Sequence, residues 1–199
     1  MCGGKLLKHE SKQVTMKKLS TLFKKDPNDL GRVINEIDPK NDWVIKEGMG
    51  IPTRKFDGTS FAIIDGELYK RFDLKKGRTL PPNAIPCQEA DKITGHHPHW
   101  VKCDRNDNSN KWHFVAFDSL ENKEDGTYEL CGKKVQGNPE KIEGHRLIKH
   151  GSETLFIGAL SFETIKEFLR QNDIEGIVFH HRNDDRMCKI RKRDFGIRR

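Results

Sequence analysis

The apolar residues of this chain fall in short runs broken by glycine turns. Ser60 to Ile64 and Glu67 to Phe72 flank Asp65-Gly66, and Asp-Gly between two strand-like runs is a strong local hairpin signal. Trp43-Val44-Ile45, Trp112 to Phe117, Gly126 to Leu130, His145 to Ile148, Glu175 to Phe179 and Met187 to Arg191 are runs of the same kind. None approaches the roughly 18 consecutive apolar residues of a membrane helix. Short runs of this type are buried by pairing side by side. The expected class is therefore α+β, with mainly antiparallel sheets flanked by helices.

Two regions read as helical. In residues 1–40, a basic segment, Val14 to Leu22 has apolar residues at near-helical spacing. Asp26-Pro27-Asn28-Asp29 there resembles a helix start, with Leu30, Val33 and Ile37 behind it. This predicts a helical N-terminal segment packed on a main domain of residues 41–199. Ser161 to Leu169 predicts an amphipathic helix, with Ser161 as N-cap and Phe162, Ile165, Phe168 and Leu169 on one face. Residues 75–111 are polar and rich in Pro, His and Asn, and read as one long loop. His96-His97-Pro98-His99 with Cys103 lies in it, without the paired spacing of a structural zinc site. Trp100 and Trp112 flank the cluster. Either ring could stack on a base, and core packing is the expectation for Trp112.

Chemistry concentrates at Arg54-Lys55-Phe56-Asp57-Gly58-Thr59-Ser60. A lysine stands two residues before Asp-Gly, between apolar runs. On local pattern this is either a tight turn with a solvated lysine or a nucleophile on a fixed loop. Lys123-Glu124-Asp125-Gly126 repeats the pattern, so at least one match is a decoy. The second sits in a polar loop whose acids would hold the lysine protonated. Arg71 follows Lys55 on a returning hairpin, and nothing equivalent follows Lys123. The choice falls on Lys55. Downstream, Glu129 precedes a glycine in the strand Tyr128-Glu129-Leu130-Cys131-Gly132, and Glu175 heads the run Glu175-Gly176-Ile177-Val178. Lys189 and Arg191 fall on one face of a strand by the period of two.

Charge and cysteines bound the setting. The 199 residues carry a formal net charge of +7, which suits a polyanionic partner. Lys192, Arg193, Arg198 and Arg199 form a basic tail beyond the Lys189/Arg191 pair. Five cysteines without a Cys-x-x-Cys pair suggest reduced thiols. The N-terminal residues lack the apolar core of a secretion signal. An intracellular setting, cytoplasmic or nuclear, is expected.

In order and spacing this set resembles the covalent nucleotidyltransferases, the superfamily of ATP-dependent DNA and RNA ligases and mRNA capping enzymes. Lys55 to Gly58 corresponds to motif I and Lys70-Arg71 to motif Ia. Glu129 corresponds to motif III, Glu175-Gly176 to motif IV and Lys189-Ile190-Arg191 to motif V. The resemblance covers about residues 50–196. It is nearest to small 5′ to 3′ RNA ligases that include a vertebrate RNA-repair ligase, through Tyr128 to Gly132, Gly137-Asn138-Pro139, Ile148 to Gly151 and Phe195-Gly196. The resemblance implies an adenylyltransferase (ATP-grasp-like) domain, here without the OB-fold domain of DNA ligases and capping enzymes. It implies ATP with Mg²⁺ (or Mn²⁺) and a lysyl-AMP on Lys55. Arg54, Asp57, Gly58, Arg71, Glu129, Lys189 and Arg191 would bind nucleotide, Glu175 and Glu129 would hold metal, and the basic tail would hold RNA bearing 5′-phosphate and 3′-hydroxyl ends. Arg191 departs from the commoner lysine. It holds phosphate but cannot donate a proton. A capping-type guanylyltransferase, a DNA ligase core and a catalytically dead RNA-binding module are the alternatives. The intact Lys55, Glu129, Glu175 and Lys189 speak against the last.

Overall fold

The computed structural model describes residues 14–75, 77–91 and 95–199. Its strands are β1 (Ser20–Thr21), β2 (Phe23–Lys25), β3 (Val33–Ile37), β4 (Gly50–Lys55), β5 (Thr59–Ile64), β6 (Glu67–Leu74), β7 (Ile85–Pro86), β8 (His97–Lys102), β9 (Gly126–Gly132), β10 (His145–Lys149), β11 (Gly176–His181) and β12 (Met187–Arg191). Helices α1 (Lys111–Asp118) and α2 (Phe162–Gln171) complete the regular structure, with three short 3₁₀ turns. The class is α+β. One sheet has six strands in the order β10-β9-β5-β6-β8-β7, all antiparallel. A second has four, in the order β1-β12-β11-β4, with only the β1–β12 pair parallel. β2 and β3 form a separate hairpin.

Each sheet buries one face against a helix. Ile177, Phe179 and Ile190 of the four-stranded sheet pack with Ile165 and Leu169 of α2 and with Leu22, Trp43 and Val44. Phe61, Leu68, Leu130 and Leu147 of the six-stranded sheet pack with Ala116 and Phe117 of α1. On its opposite face Ala62 and Ile64 meet Trp100 and Cys87. No helix among the described residues is long and apolar enough to cross a membrane.

Six expectations fit. The 60–64 and 67–72 strands turn at Asp65-Gly66, where both residues adopt positive φ. The 126–130, 145–148, 175–179 and 187–191 runs are strands, and Ser161 caps α2 through a reciprocal bond with Thr164.

Other expectations are corrected. The expected helical segment is not helical where it is described. Ser20–Thr21 joins the four-stranded sheet, and residues 23–37 form the β2–β3 hairpin. Residues 1–13 lie outside the described residues. Val33 and Ile37 are four apart, a spacing common to one helix face and one strand face. Asp26 and Asp29 accept from the backbone of Asn28 and Gly31, so they cap a turn rather than start a helix. Trp43 lies in a 3₁₀ turn that Pro39 begins and Asp38 caps. The run 112–117 is helix, since a short apolar run does not distinguish buried strand from buried helix. Residues 75–111 are not one loop. They contain β7 and β8, and β8 lies inside the sheet with Pro98, His99 and Trp100 buried.

Candidate active site

Lys55 ends β4, and Thr59 begins β5. β4 pairs with β11 in one sheet, while β5 pairs with β6 and β9 in the other. Asp57-Gly58 is therefore no hairpin turn. It carries the chain from one sheet to the other. Gly58 packs flat on β9. A β-carbon there would strike the Leu130 carbonyl and lie 2.9 Å from Cys131 Sγ.

The four-stranded sheet supplies the cations. Lys55, Gly176 and Arg191 lie in one row across β4, β11 and β12, and Thr53, Val178 and Lys189 lie in the next same-facing row. This face is opposite the α2 core. Lys55 Nζ forms an ion pair with the Glu175 carboxylate and donates to the Phe56 carbonyl at 3.4 Å. Burial raises the Glu175 pKa against the pull of Lys55. Burial, then Arg191 and Lys55, lower the Lys189 pKa to about 8. Arg191 is held by Asp194, at 3.1 Å from Nη2 to Oδ1. Gly176 leaves room for its neighbours, since a β-carbon would meet the Ile190 carbonyl.

The six-stranded sheet supplies a carboxylate. Glu129 Oε1 accepts the Gly58 amide at 3.1 Å, and Oε2 accepts the Ser60 hydroxyl at 3.3 Å and contacts His150 Nε2 at 2.9 Å. His150 Nδ1 meets Thr127 Oγ1 at 2.9 Å. Ser60 stands opposite Glu129, and Lys70 opposite Phe61, so Arg71 follows alongside Ser60 on the Glu129 face. Arg71 Nε donates to Asp73 at 2.9 Å.

The residue that ties the loop together is one that sequence reading missed. Glu140, with 1% of its side chain exposed, accepts the Asp57 amide at 2.8 Å. It also pairs with Arg54 at 2.6 Å and with Arg199 at 3.0 Å. Arg54 reaches Glu153 as well, at 3.3 Å, and stacks over Phe56. Gln136 Nε2 donates to the Gly58 carbonyl at 2.7 Å. Glu140 follows Gly137-Asn138-Pro139, a stretch of positive φ at Gln136, Gly137 and Asn138. That cluster of turn formers is the one sequence signal that marks this loop.

The structure brings together Arg54, Lys55, Asp57, Gly58, Glu129, Glu175, Lys189 and Arg191. Arg199 joins them, 3.4 Å from Asp57 and 3.3 Å from Asp173, and so is not a freely solvated tail residue. Lys192 is buried at the start of a 3₁₀ turn, while Arg193 and Arg198 are exposed. Lys123 lies apart, donating to the Leu120 carbonyl over the Phe117 ring. Asp125 of that second match accepts the amides of the Asp65-Gly66 turn. Of the two tryptophans, Trp100 is the buried one, its indole donating to the Val14 carbonyl, and Trp112 is half-exposed.

Among the described residues no three His, Cys, Asp or Glu side chains are grouped to hold a metal. Mg²⁺ at phosphate sites takes one or two carboxylates and completes its shell with phosphate oxygens and water. Glu175 fits that pattern. Glu129 Oε1 takes the Gly58 amide and Oε2 faces Ser60 and His150, and the Glu175 carboxylate faces Lys55, so either would reach a metal through its remaining lone pairs.

No family model matches the chain, and no curated protein matches it either. Among solved structures it is similar to an RNA ligase of Naegleria gruberi, a lysine-to-methionine mutant with AMP and Mn. The identity is 13% and the TM-score 0.41, over 91% of this chain and 60% of that one. The chain thus spans less than two thirds of that ligase's length.

Proposed function

We propose that the chain is an ATP-dependent RNA ligase. In this reading Lys55 takes AMP from ATP and passes it to an RNA 5′-phosphate, and an RNA 3′-hydroxyl then displaces AMP. The observation that carries the reading is the face of the four-stranded sheet. There an amine at the sheet crossover stands against a half-buried carboxylate, with Lys189 and Arg191 in register beside it.

The first step is an in-line displacement. Neutral Lys55 Nζ attacks the α-phosphorus, the bond to the bridging oxygen breaks, and pyrophosphate leaves with the electron pair. Forming the phosphorus–nitrogen bond releases two protons from the Lys55 amine in all, one before attack and one after it, and both pass to water or to the departing pyrophosphate, so that the Glu175 carboxylate stays available to a cation. Lys189 and Arg191 face the charge that develops on the phosphates, so positioning and electrostatics do most of the catalysis. A divalent ion held by Glu175 would neutralise part of the triphosphate charge. Glu129, fixed by Gly58, Ser60 and His150, would orient the nucleoside, with Arg54, Asp57 and Arg71 around it. RNA phosphates would meet Arg193 and Arg198 on the exposed side.

The test is to incubate the protein with α-labelled ATP or GTP and Mg²⁺ and to map the label. Label from ATP on Lys55, with sealing of RNA ends, is the expected result. Label from GTP alone would favour a capping-type enzyme. Equal sealing of DNA nicks would favour a DNA ligase core, and no label would favour a binding module. Label on Lys189, the amine with the loosened proton, would move the nucleophile to β12.

A further inference from the structure

Sequence pattern places Trp112 in the core, and the structure places it at the surface. Trp112 leads α1 with 38% of its surface exposed, whereas Trp43 and Trp100 are buried. Its indole stacks on the His145 ring at 4.8 Å between centroids and 18° between planes. His145 is itself buried, and its Nε2 accepts the Lys134 amide at 3.3 Å, which fixes the ring. Burial, then Lys134, lower the His145 pKa, so the supporting ring is neutral at pH 7. Lys111 Nζ lies over the indole at 5.1 Å.

The surroundings are cationic. Lys111, Lys133 and Lys134 are exposed and form no ion pair among the described residues, whereas most arginines of the chain are paired. Rigid aromatic platforms beside unpaired cations suit unpaired bases and their phosphates. The patch also connects to Lys55. The 133–144 loop that begins with Lys133 and Lys134 carries Gln136 and Glu140, which hold the Asp57-Gly58 crossover. β10, which carries His145, is the edge strand two positions from β5, roughly 10 Å away. Exposed Arg146 faces the other side of that edge, the side of Glu129.

We propose that Trp112, with Lys111, Lys133 and Lys134, is a docking surface for unpaired nucleotides of single-stranded RNA, leading over β10 past Arg146 to Lys55. The choice of RNA as the polyanion rests on the ligase reading. The surface itself rests on the stack and the unpaired cations.

The test uses the full chain and a short oligouridylate with a 5′-hydroxyl, which cannot accept AMP. Buried Trp43 and Trp100 leave Trp112 as the indole a bound base can quench, so quenching of tryptophan emission on titration is expected. By anisotropy with the same labelled oligonucleotide, Trp112→Ala should weaken binding roughly five- to hundredfold, and Trp112→Phe much less. Replacing Lys111, Lys133 and Lys134 together by alanine should flatten the log-affinity against log-salt slope by roughly 2. Those three side chains are exposed, so this variant tests the surface even if Trp112→Ala fails to fold. Unquenched emission, parental affinity in folded Trp112→Ala, or an unchanged salt slope in the lysine variant would each overturn the proposal. Trp112-dependent binding without any protein labelling would support this surface and remove only the ligase reading.

Discussion

At the scale of single residues, the site contrasts two amines. Lys55 is tied to a carboxylate, and Lys189 sits among cations with its pKa lowered to about 8. Lys55→Ala should abolish the labelled adduct, and Lys123→Ala should leave it largely intact, because Lys123 serves only its own loop. A Lys55→Ala protein that labelled normally would refute the assignment. Lys189 makes a prediction about stability. Its folded pKa lies below the unfolded value, so the unfolded chain binds the extra proton between pH 8 and about 10.5. Below pH 8 the folded state carries the full cost of a half-buried cation among other cations, and stability recovers as pH rises through 8. Lys189→Met should therefore raise stability at pH 7 by on the order of 1–2 kcal/mol. The gain should shrink toward pH 10, as read by urea denaturation without nucleotide, and nucleotide labelling should fall at the same time. A gain that grew with pH would contradict the burial of this charge.

At the scale of elements, the crossover between β4 and β5 carries the most constraint. Gly58→Ala would drive a methyl into the Leu130 carbonyl, which is sheet backbone and cannot yield cheaply. A loss of about 1–3 kcal/mol and of most labelling is expected, from thermal melting and the labelling assay. Parental values in both would mean that β9 gives way. This crossover also shows what sequence can and cannot reveal. The strands around Asp65-Gly66 and the Ser161 cap were legible because a turn or a cap is written in adjacent residues. Asp57-Gly58 has the same two letters as Asp65-Gly66, yet it joins different sheets, because β4 pairs with β11 far along the chain while β5 pairs with β6 and β9. Lys55, Glu129, Lys189 and Arg191 were legible as charges on strands, and Glu175 as the charge just ahead of one. Glu140 was not, since its importance comes from Arg54, Asp57 and Arg199 converging on it in space. Trp112 was misread because an apolar run of six does not state its period.

At the scale of the whole molecule, the two sheets differ in how far apart their strands lie along the chain. All six strands of the larger sheet come from residues 59–149, whereas the smaller sheet joins residues 20–21 and 50–55 to residues 176–191. Contacts between distant residues carry a larger closure entropy and form more slowly. In pulse-labelled hydrogen exchange during refolding, amides of β5, β6 and β9 should gain protection before those of β4, β11 and β12. Simultaneous or reversed protection would refute that order. The pairing of Lys55 with Glu175 spans 120 residues. At a synthesis rate of 5–20 residues per second, the carboxylate is translated roughly 6–24 s after the lysine. A nascent chain thus has every strand of its larger sheet before it has the residue that pairs with Lys55.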